Sequence, residues 1–465
     1  MSETVANRRV ASETEGGFGL DAAFIDDVAA ALQASDTVRV AALVGELHYA
    51  DMADVLEHLA GSDRRLLVEA IRDTFNPEVL PELAPQVRDD VMNALGFEDF
   101  AAALTELDSD DAIHIAGKLS EDERRQIGAR MPQASRMLIE QGLSYPADSA
   151  GRLMQRELVA VPNYWTVGET IDYMRAAQNL PYRFYVVFVV DPRHRPQGVV
   201  ELSRLLRSKR PERMKDLIEK DVEPVPVETD REDVAFRFKQ RDLVAAPVVD
   251  KSGRLVGQIT IDDVVDVIDQ EAAEDILKLA GVGNTDVSSL YNAIIRTSNS
   301  RFYWLFINLL TAFLASWVVG LYEDSIAKLA ALAVLMPIVA GMGGNSGTQT
   351  LATAIRAIAT RELDDSNAMR IVFKELFVGM INGLLFAVIV GNAAGWWFND
   401  ILLGLVIGVA MFINMTVAGL SGIVIPLLIR KFGSDPADSG GVILTTVTDV
   451  VGFFTFLGLA TWVLL

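Results

Sequence analysis

The feature that most restricts the fold is a run of five apolar tracts filling the last third of the chain. They lie near residues 301–322, 327–359, 372–398, 401–429 and 440–465. About 20 residues of helix cross a hydrocarbon core of about 30 Å, so each tract is long enough to span it. Lipid offers the backbone no hydrogen bonds, and such tracts must therefore be helices. The connections between them alternate in charge. Arg296 and Arg301 precede the first tract, Arg356, Arg361, Arg370 and Lys374 separate the second from the third, and Arg430 and Lys431 separate the fourth from the fifth. Glu323 and Asp324 follow the first tract, and Asn399 and Asp400 follow the third. Because Lys and Arg accumulate on the cytoplasmic side, residues 1–298 are expected in the cytoplasm and the carboxyl terminus outside.

Charge divides the chain in the same place. Residues 299–465 hold 8 basic and 10 acidic side chains, whereas 1–298 hold 33 and 53, so the net charge of −22 belongs almost wholly to the soluble part. An acidic surface disfavours nucleic acid, which needs cationic patches against phosphate, and favours cationic ligands. The absence of cysteine removes disulfides and thiolate metal sites. The opening "MSETVANRRVASETEGG" lacks the apolar core of a secretory signal. Residues 1–19 are expected to be a disordered tail.

Residues 20–140 show apolar positions at three- and four-residue steps. "HYADMADVLEHLAGSDRRLLVEAI" and "GFEDFAAALTELDSDDAIHIAGKL" read as two versions of one helical hairpin, which predicts a helical solenoid. From 141 to 270 the texture becomes strand–helix alternation. "RFYVVFVVD" and "AAPVVDKSGRLVGQITIDDVVDVI" are β-rich runs with an Asp at a turn, each preceded by a helical stretch. The repetition predicts a duplicated α/β module. It resembles a tandem pair of cystathionine-β-synthase-type (CBS) domains, the second copy through "PVVD…GRLVGQITIDDVVD" and the first in outline. An acidic connecting helix and linker, 262–298, then leads to the transmembrane domain, 299–465.

Asp449, in "ILTTVTDVVGFFTFLGL", is the acid well inside a tract. With a helix starting near Gly441 it sits roughly 12 Å deep. An ionised group there costs on the order of 3 kcal/mol unless partnered, and no Lys or Arg lies at similar depth. A visiting cation is the natural partner. The second tract contains "PIVAGMGGNSGTQT", residues 337–350. Pro337 removes a backbone donor, and the glycines at 341, 343, 344 and 347 are expected to let the chain leave helical geometry. Freed carbonyls with the Asn345 and Gln349 amides would form an oxygen-rich wall. Hard cations take oxygen ligands, and Mg²⁺ keeps several waters. All four histidines (48, 58, 114, 194) lie in the soluble part, so metals that prefer nitrogen or sulfur are disfavoured. Mg²⁺, Mn²⁺, Co²⁺ and Ca²⁺ remain.

In "TIDDVVDVIDQEAAEDILKLAG", Asp262, Asp266 and Asp269 share a helix face, crowded by Asp263, Glu274 and Asp275, with Lys278 the base in the run. Like charges at this spacing repel by about 0.2–0.5 kcal/mol per pair. A bound divalent cation would relieve that and stabilise one packing of the soluble domains.

With these motifs the chain resembles the MgtE family of magnesium channels over nearly its whole length. The most specific signatures are "PIVAGMGGNSGTQT", "DPADSGGVILTTVTDVVG" and the acidic run. The resemblance implies a homodimer in the inner membrane with one pore on its twofold axis. Asp449 of each copy would hold hydrated Mg²⁺, assisted by backbone oxygens at Gly341 and Thr445 and by the region of Asn345. It also implies that the connecting helix acts as a plug, closed when cytosolic Mg²⁺ binds Asp230, Glu232, Asp242, Asp263, Asp266, Glu271, Glu274 and Asp275, with Glu98 from the helical domain. Two departures stand out. Ala102 replaces the acid expected one turn after Glu98, and Arg204 replaces the Asp expected in the first CBS copy, while the second keeps Thr260 and Asp263. Adenine-nucleotide binding is therefore expected to be weak or absent. An ion-coupled divalent cation exporter and a membrane-anchored CBS sensor without transport are the alternatives. An enzyme is not expected, since no nucleophile–base pair or phosphate-cradling loop is present.

Overall fold

The computed structural model describes residues 21–181, 183–219, 223–281, 294–364 and 366–465. The chain divides into two compact units, 1–269 and 270–465.

The first unit opens with short helices between Ala22 and Leu143 around one apolar core. Two are used below: α1 (Pro85–Glu106) and α2 (Ser109–Lys118). α1 bends at Gly96, whose φ of 79° is open to glycine without strain. Several helices here end on a leucine in extended conformation, as at Leu59, Leu83 and Leu119, each with its side chain buried. The terminating residue thus also packs the core. This is why the quoted hairpins show a leucine at each break.

The α/β repeat follows. Strands β1 (Ala160–Pro162), β2 (Val186–Val190) and β3 (Pro196–Glu201) form one sheet, with helix α3 (Val167–Ala176) between β1 and β2. Strands β4 (Val225–Pro226), β5 (Ala245–Val249) and β6 (Leu255–Thr260) form the second, with α4 (Arg231–Arg241) between β4 and β5. In each sheet the first pair is parallel and the second antiparallel, with a register shift at the equivalent place, Val189/Val190 and Val248/Val249. Asp191 and Asp250 make the same turn, each accepting backbone N–H bonds from residues two and four further on. The sheets share a core in which Val186, Phe188 and Val199 meet Ala245 and Leu255. The short strands β1 and β4 leave no signal in the sequence, because two or three residues carry no period.

Helix α5 (Ile261–Leu279) is the acidic connecting segment. Its first half belongs to the first unit and its last turns to the second. The second unit contains α6 (Ile294–Gly320), α7 (Ala331–Ala359), α8 (Ala368–Trp397), α9 (Ile401–Lys431) and α10 (Pro436–Leu464). Four of these, α6, α8, α9 and α10, are long and apolar enough to cross a membrane. α7 falls outside that set, since it carries the Gly, Asn, Gln and Thr of the quoted motif. α9 is the most enclosed, packing against α7, α8 and α10. Small residues bring α8 and α9 together: a Cβ at Gly391 would lie 2.9 Å from the Gly404 carbonyl, and one at Gly408 would lie 3.0 Å from that of Ala387.

The expected break in the second tract does not occur. α7 is one continuous helix through Pro337, and its glycines keep helical geometry. They are there for packing: Gly343 meets the Asn414 side chain, Gly347 meets Leu444, and Gly422 of α9 closes on the Gly347 carbonyl. Neighbouring helices thus keep the segment helical where composition alone favours loosening.

Candidate functional site

α7 and α10 each have one packed face and one open face. On α7, Val339, Gly343 and Gly347 are buried, while Gly341, Asn345 and Gln349, one turn apart, are exposed. A Cβ at Gly341 or Gly344 would meet nothing within 4 Å. On α10, Leu444, Thr448, Gly452 and Phe456 form the buried stripe, beside which Thr445 is exposed and Asp449 half-buried. The two helices pack on each other, with Leu444 against Gly347 and Leu351 against Gly440. The polar residues of both are left on open surface of a membrane-class unit. Among the described residues the Asp449 carboxylate has no hydrogen-bond or ion-pair partner.

The carbonyls on the open face keep helical hydrogen bonds, contrary to the freed oxygens expected. The Thr445 carbonyl also accepts a 3.0 Å bond from Thr448 Oγ1, and the Thr445 hydroxyl donates to the Gly441 carbonyl at 2.9 Å. Among the described residues, no three His, Cys, Asp or Glu side chains are arranged to hold one ion. The stripe therefore suits an ion that keeps its water shell, with one carboxylate for charge and amide and hydroxyl groups for the waters. A second acid lies within a membrane-class helix: Glu375 of α8 is 9% exposed, but it has Lys374 Nζ 3.4 Å away.

The first unit brings together carboxylates that the sequence did not pair. Asp110, at the start of α2, is 8% exposed, and its Oδ1 has no hydrogen-bond partner among the described residues. Burial, then Asp263, then Asp111 push it well above the usual carboxylate range. Burial followed by Asp263 raises Asp111 to about 7. Burial also raises Asp263 to about 6, opposed by hydrogen bonds with Asp110 and Thr260. Two carboxyls sharing a bond cannot both stay bare anions. They need a proton or a cation between them. Glu82, Asp108 and Asp266 extend the cluster and are raised as well, each first by burial. Asp110 and Asp111 were visible only as an acidic helix start, which the helix dipole alone would explain.

The other predicted regulatory residues are dispersed in one chain. Asp230 caps α4, its Oδ1 accepting from Glu232 N at 2.8 Å, and Asp242 closes the other end of that helix at φ 51°. Asp230, Glu232, Asp242 and Glu98 are exposed. Glu271, Glu274 and Asp275 lie in the last turns of α5. Here Glu274 Oε1 and Asp435 Oδ2 both bind Lys278 Nζ, at 2.7 and 2.5 Å. Asp275 is raised to about 6, first by burial and then by Asp435. Leu279 packs against the cluster of Leu351, Ile355, Ile425 and Leu444. The end of α5 thus seats on α7, α9 and α10. At the CBS pair, Thr260 Oγ1 donates to Asp263 Oδ2 at 2.8 Å, and Arg204 pairs with Glu219 at 3.5 Å.

A profile described as "Divalent cation transporter" (MgtE) matches residues 336–459, one for the MgtE intracellular N domain matches 47–148, and the CBS domain matches 150–210 and 214–270. The chain is 32% identical to the magnesium transporter MgtE of Thermus thermophilus over 442 residues, 92% of this chain and 96% of the relative. The chain belongs to the MgtE family. The magnesium transporter MgtE of Bacillus subtilis is 28% identical over 90% of this chain and 92% of its own length. A solved cytosolic domain of the Mg²⁺ channel MgtE in complex with ATP is 30% identical and covers 52% of this chain and 99% of its own, with a TM-score of 0.49. As a member of the MgtE family the chain is a membrane transporter of magnesium and not an enzyme. It has a helical N domain, a CBS pair and a helical membrane domain.

Proposed function

We propose that two copies of this chain join their open α7 and α10 faces into one pathway that carries Mg²⁺ into the cytoplasm. α7 serves as a fifth crossing helix, residues 1–298 face the cytoplasm and the carboxyl terminus lies outside. Asp449 of each copy supplies charge; Asn345, Gly341 and Thr445 contact the ion through its waters. The observation that carries this reading is the unpartnered Asp449 carboxylate on an open polar stripe of a membrane helix. An anchored sensor needs no such stripe, and a coupled exporter needs a second free acid where Glu375 is paired with Lys374.

Gating follows from the acidic elements. Cytosolic Mg²⁺, keeping its waters because no three of these side chains are arranged to hold it directly, gathers at Asp263, Asp266, Asp110 and Asp111, and at Glu271, Glu274 and Asp275, where it neutralises packed carboxylates and holds α5 closed. Asp230, Glu232, Asp242 and Glu98 complete such sites between domains or copies. Nucleotide is a weak ligand at most, because Arg204, paired with Glu219, stands where the first CBS copy would need its Asp.

The test is Mg²⁺ uptake into proteoliposomes by the natural protein and Asp449→Asn, at low and high Mg²⁺ on the cytoplasmic face. Uptake lost in the variant, and suppressed by cytoplasmic Mg²⁺ in the natural protein, is expected. Equal uptake by both would remove Asp449 from the pathway. No uptake by either would favour the anchored sensor.

A further inference from the structure

Asn414 lies within α9 and is fully buried. Its Nδ2 donates to the Val339 carbonyl of α7 at 2.9 Å, while its Oδ1 is buried without a hydrogen-bond partner among the described residues. Glycines face this amide from both neighbouring helices. A Cβ built at Gly343 of α7 would fall 2.2 Å from Nδ2, and one at Gly452 of α10 would fall 2.8 Å from the same atom. The amide is therefore a wedge between α7 and α10, and glycine on both sides lets it fit. A half-satisfied amide is worse for stability than an apolar side chain of the same shape. Stability does not account for its presence.

Its neighbours do. On α7 the wedge touches Gly343, midway between Gly341 and Asn345, and pushes from the face opposite theirs. On α10 it touches Gly452, less than one turn beyond Asp449. We propose that Asn414 is a positioning residue for ion selection: it sets the spacing and rotation of α7 and α10, and through them the width between the polar groups of their open faces. Mg²⁺ sheds its waters reluctantly, so a passage tuned to the hydrated ion depends on that width. Co²⁺ and Ni²⁺ bind protein ligands more readily and are less dependent on it. The inference rests on the reading that the ion passes along these faces.

The experiment compares natural protein, Asn414→Leu and Asn414→Ala, full length in proteoliposomes, for Mg²⁺ and Co²⁺ influx, with melting temperatures in detergent. Asn414→Leu is expected to keep or raise the melting temperature while the Mg²⁺-to-Co²⁺ flux ratio falls by about tenfold. If the leucine variant does not fold, the alanine variant carries the same expectation for the ratio. An unchanged ratio in whichever variants fold, or fluxes of both ions falling together in proportion to the folded protein recovered, would overturn it. Natural protein that carries no Mg²⁺ would instead defeat the transport reading, and this inference with it.

Discussion

Lys278 Nζ lies 2.5 Å from Asp435 Oδ2, joining the last turn of α5 to the residue that caps α10. The other oxygen, Asp435 Oδ1, accepts from Ala437 N at 2.9 Å. One carboxylate thus starts the helix that carries Asp449 and holds the end of the connecting helix. Burial alone would lower the Lys278 ammonium, but hydrogen bonds to Asp435 and Glu274 outweigh it and hold it above its ordinary range.

Lys278→Met should therefore loosen the seat of α5 without emptying the space its stem fills. Asp435 is more than a third exposed, which limits the pair's contribution to on the order of 1 kcal/mol. Half-inhibition of Mg²⁺ uptake by cytoplasmic Mg²⁺ is expected to move to about three- to tenfold higher concentration. Proteoliposome uptake checks this, and an unchanged half-inhibition would remove Lys278 from the gate.

The Asp110, Asp111 and Asp263 cluster predicts a pH dependence of definite sign. These carboxyls have folded-state pKa values above their unfolded ones, Asp111 at about 7 and Asp263 at about 6. Their contribution is fully present below about pH 4 and is lost as pH rises through about 6 to 7. In chelator, resistance of the first unit to proteolysis within the full chain should fall over that window, by a few kcal/mol at most. Millimolar Mg²⁺ should flatten the profile, since the cation replaces the proton. Asp110→Asn, which supplies a permanent donor to Asp263, should stabilise the packed, closed arrangement in the absence of metal and lower uptake at low cytoplasmic Mg²⁺. A flat profile in chelator would contradict the cluster's role.

Much of this architecture is legible in the sequence because its signals are local. Apolar length marks the membrane helices, and the Asp191 and Asp250 turns between β runs mark the duplicated sheet. What is not legible depends on which distant residue arrives. A missing Cβ both frees a backbone and admits a neighbour, so the α7 glycines read as breaks until Asn414 and Leu444 are seen against them. Asp110 reads as a solvated helix start until Asp263 is packed on it. Lys278 reads as one base in an acidic run, and its partner Asp435 caps another helix.

Nucleotide should bind weakly. The first CBS copy presents Arg204, paired with Glu219, where the Asp is expected. Calorimetric titration of the full chain with ATP is expected to give a Kd no tighter than about 1 mM. Micromolar affinity would mean that this pair opens on binding.

The two kinds of glycine in α7 separate packing from transport. Gly341 faces open space, so Gly341→Ala should leave the melting temperature unchanged, within about 0.5 kcal/mol of the natural protein. Gly343 meets the Asn414 amide, and Gly343→Ala must displace a buried side chain bonded to Val339, at a cost of about 1–3 kcal/mol. Uptake should then fall in both variants for different reasons. In Gly341→Ala a methyl group enters the hydrated ion's path while the folded protein is recovered in full. In Gly343→Ala the helices shift and the melting temperature drops. If Gly341→Ala both folds and transports normally, the open face of α7 is not the path of the ion.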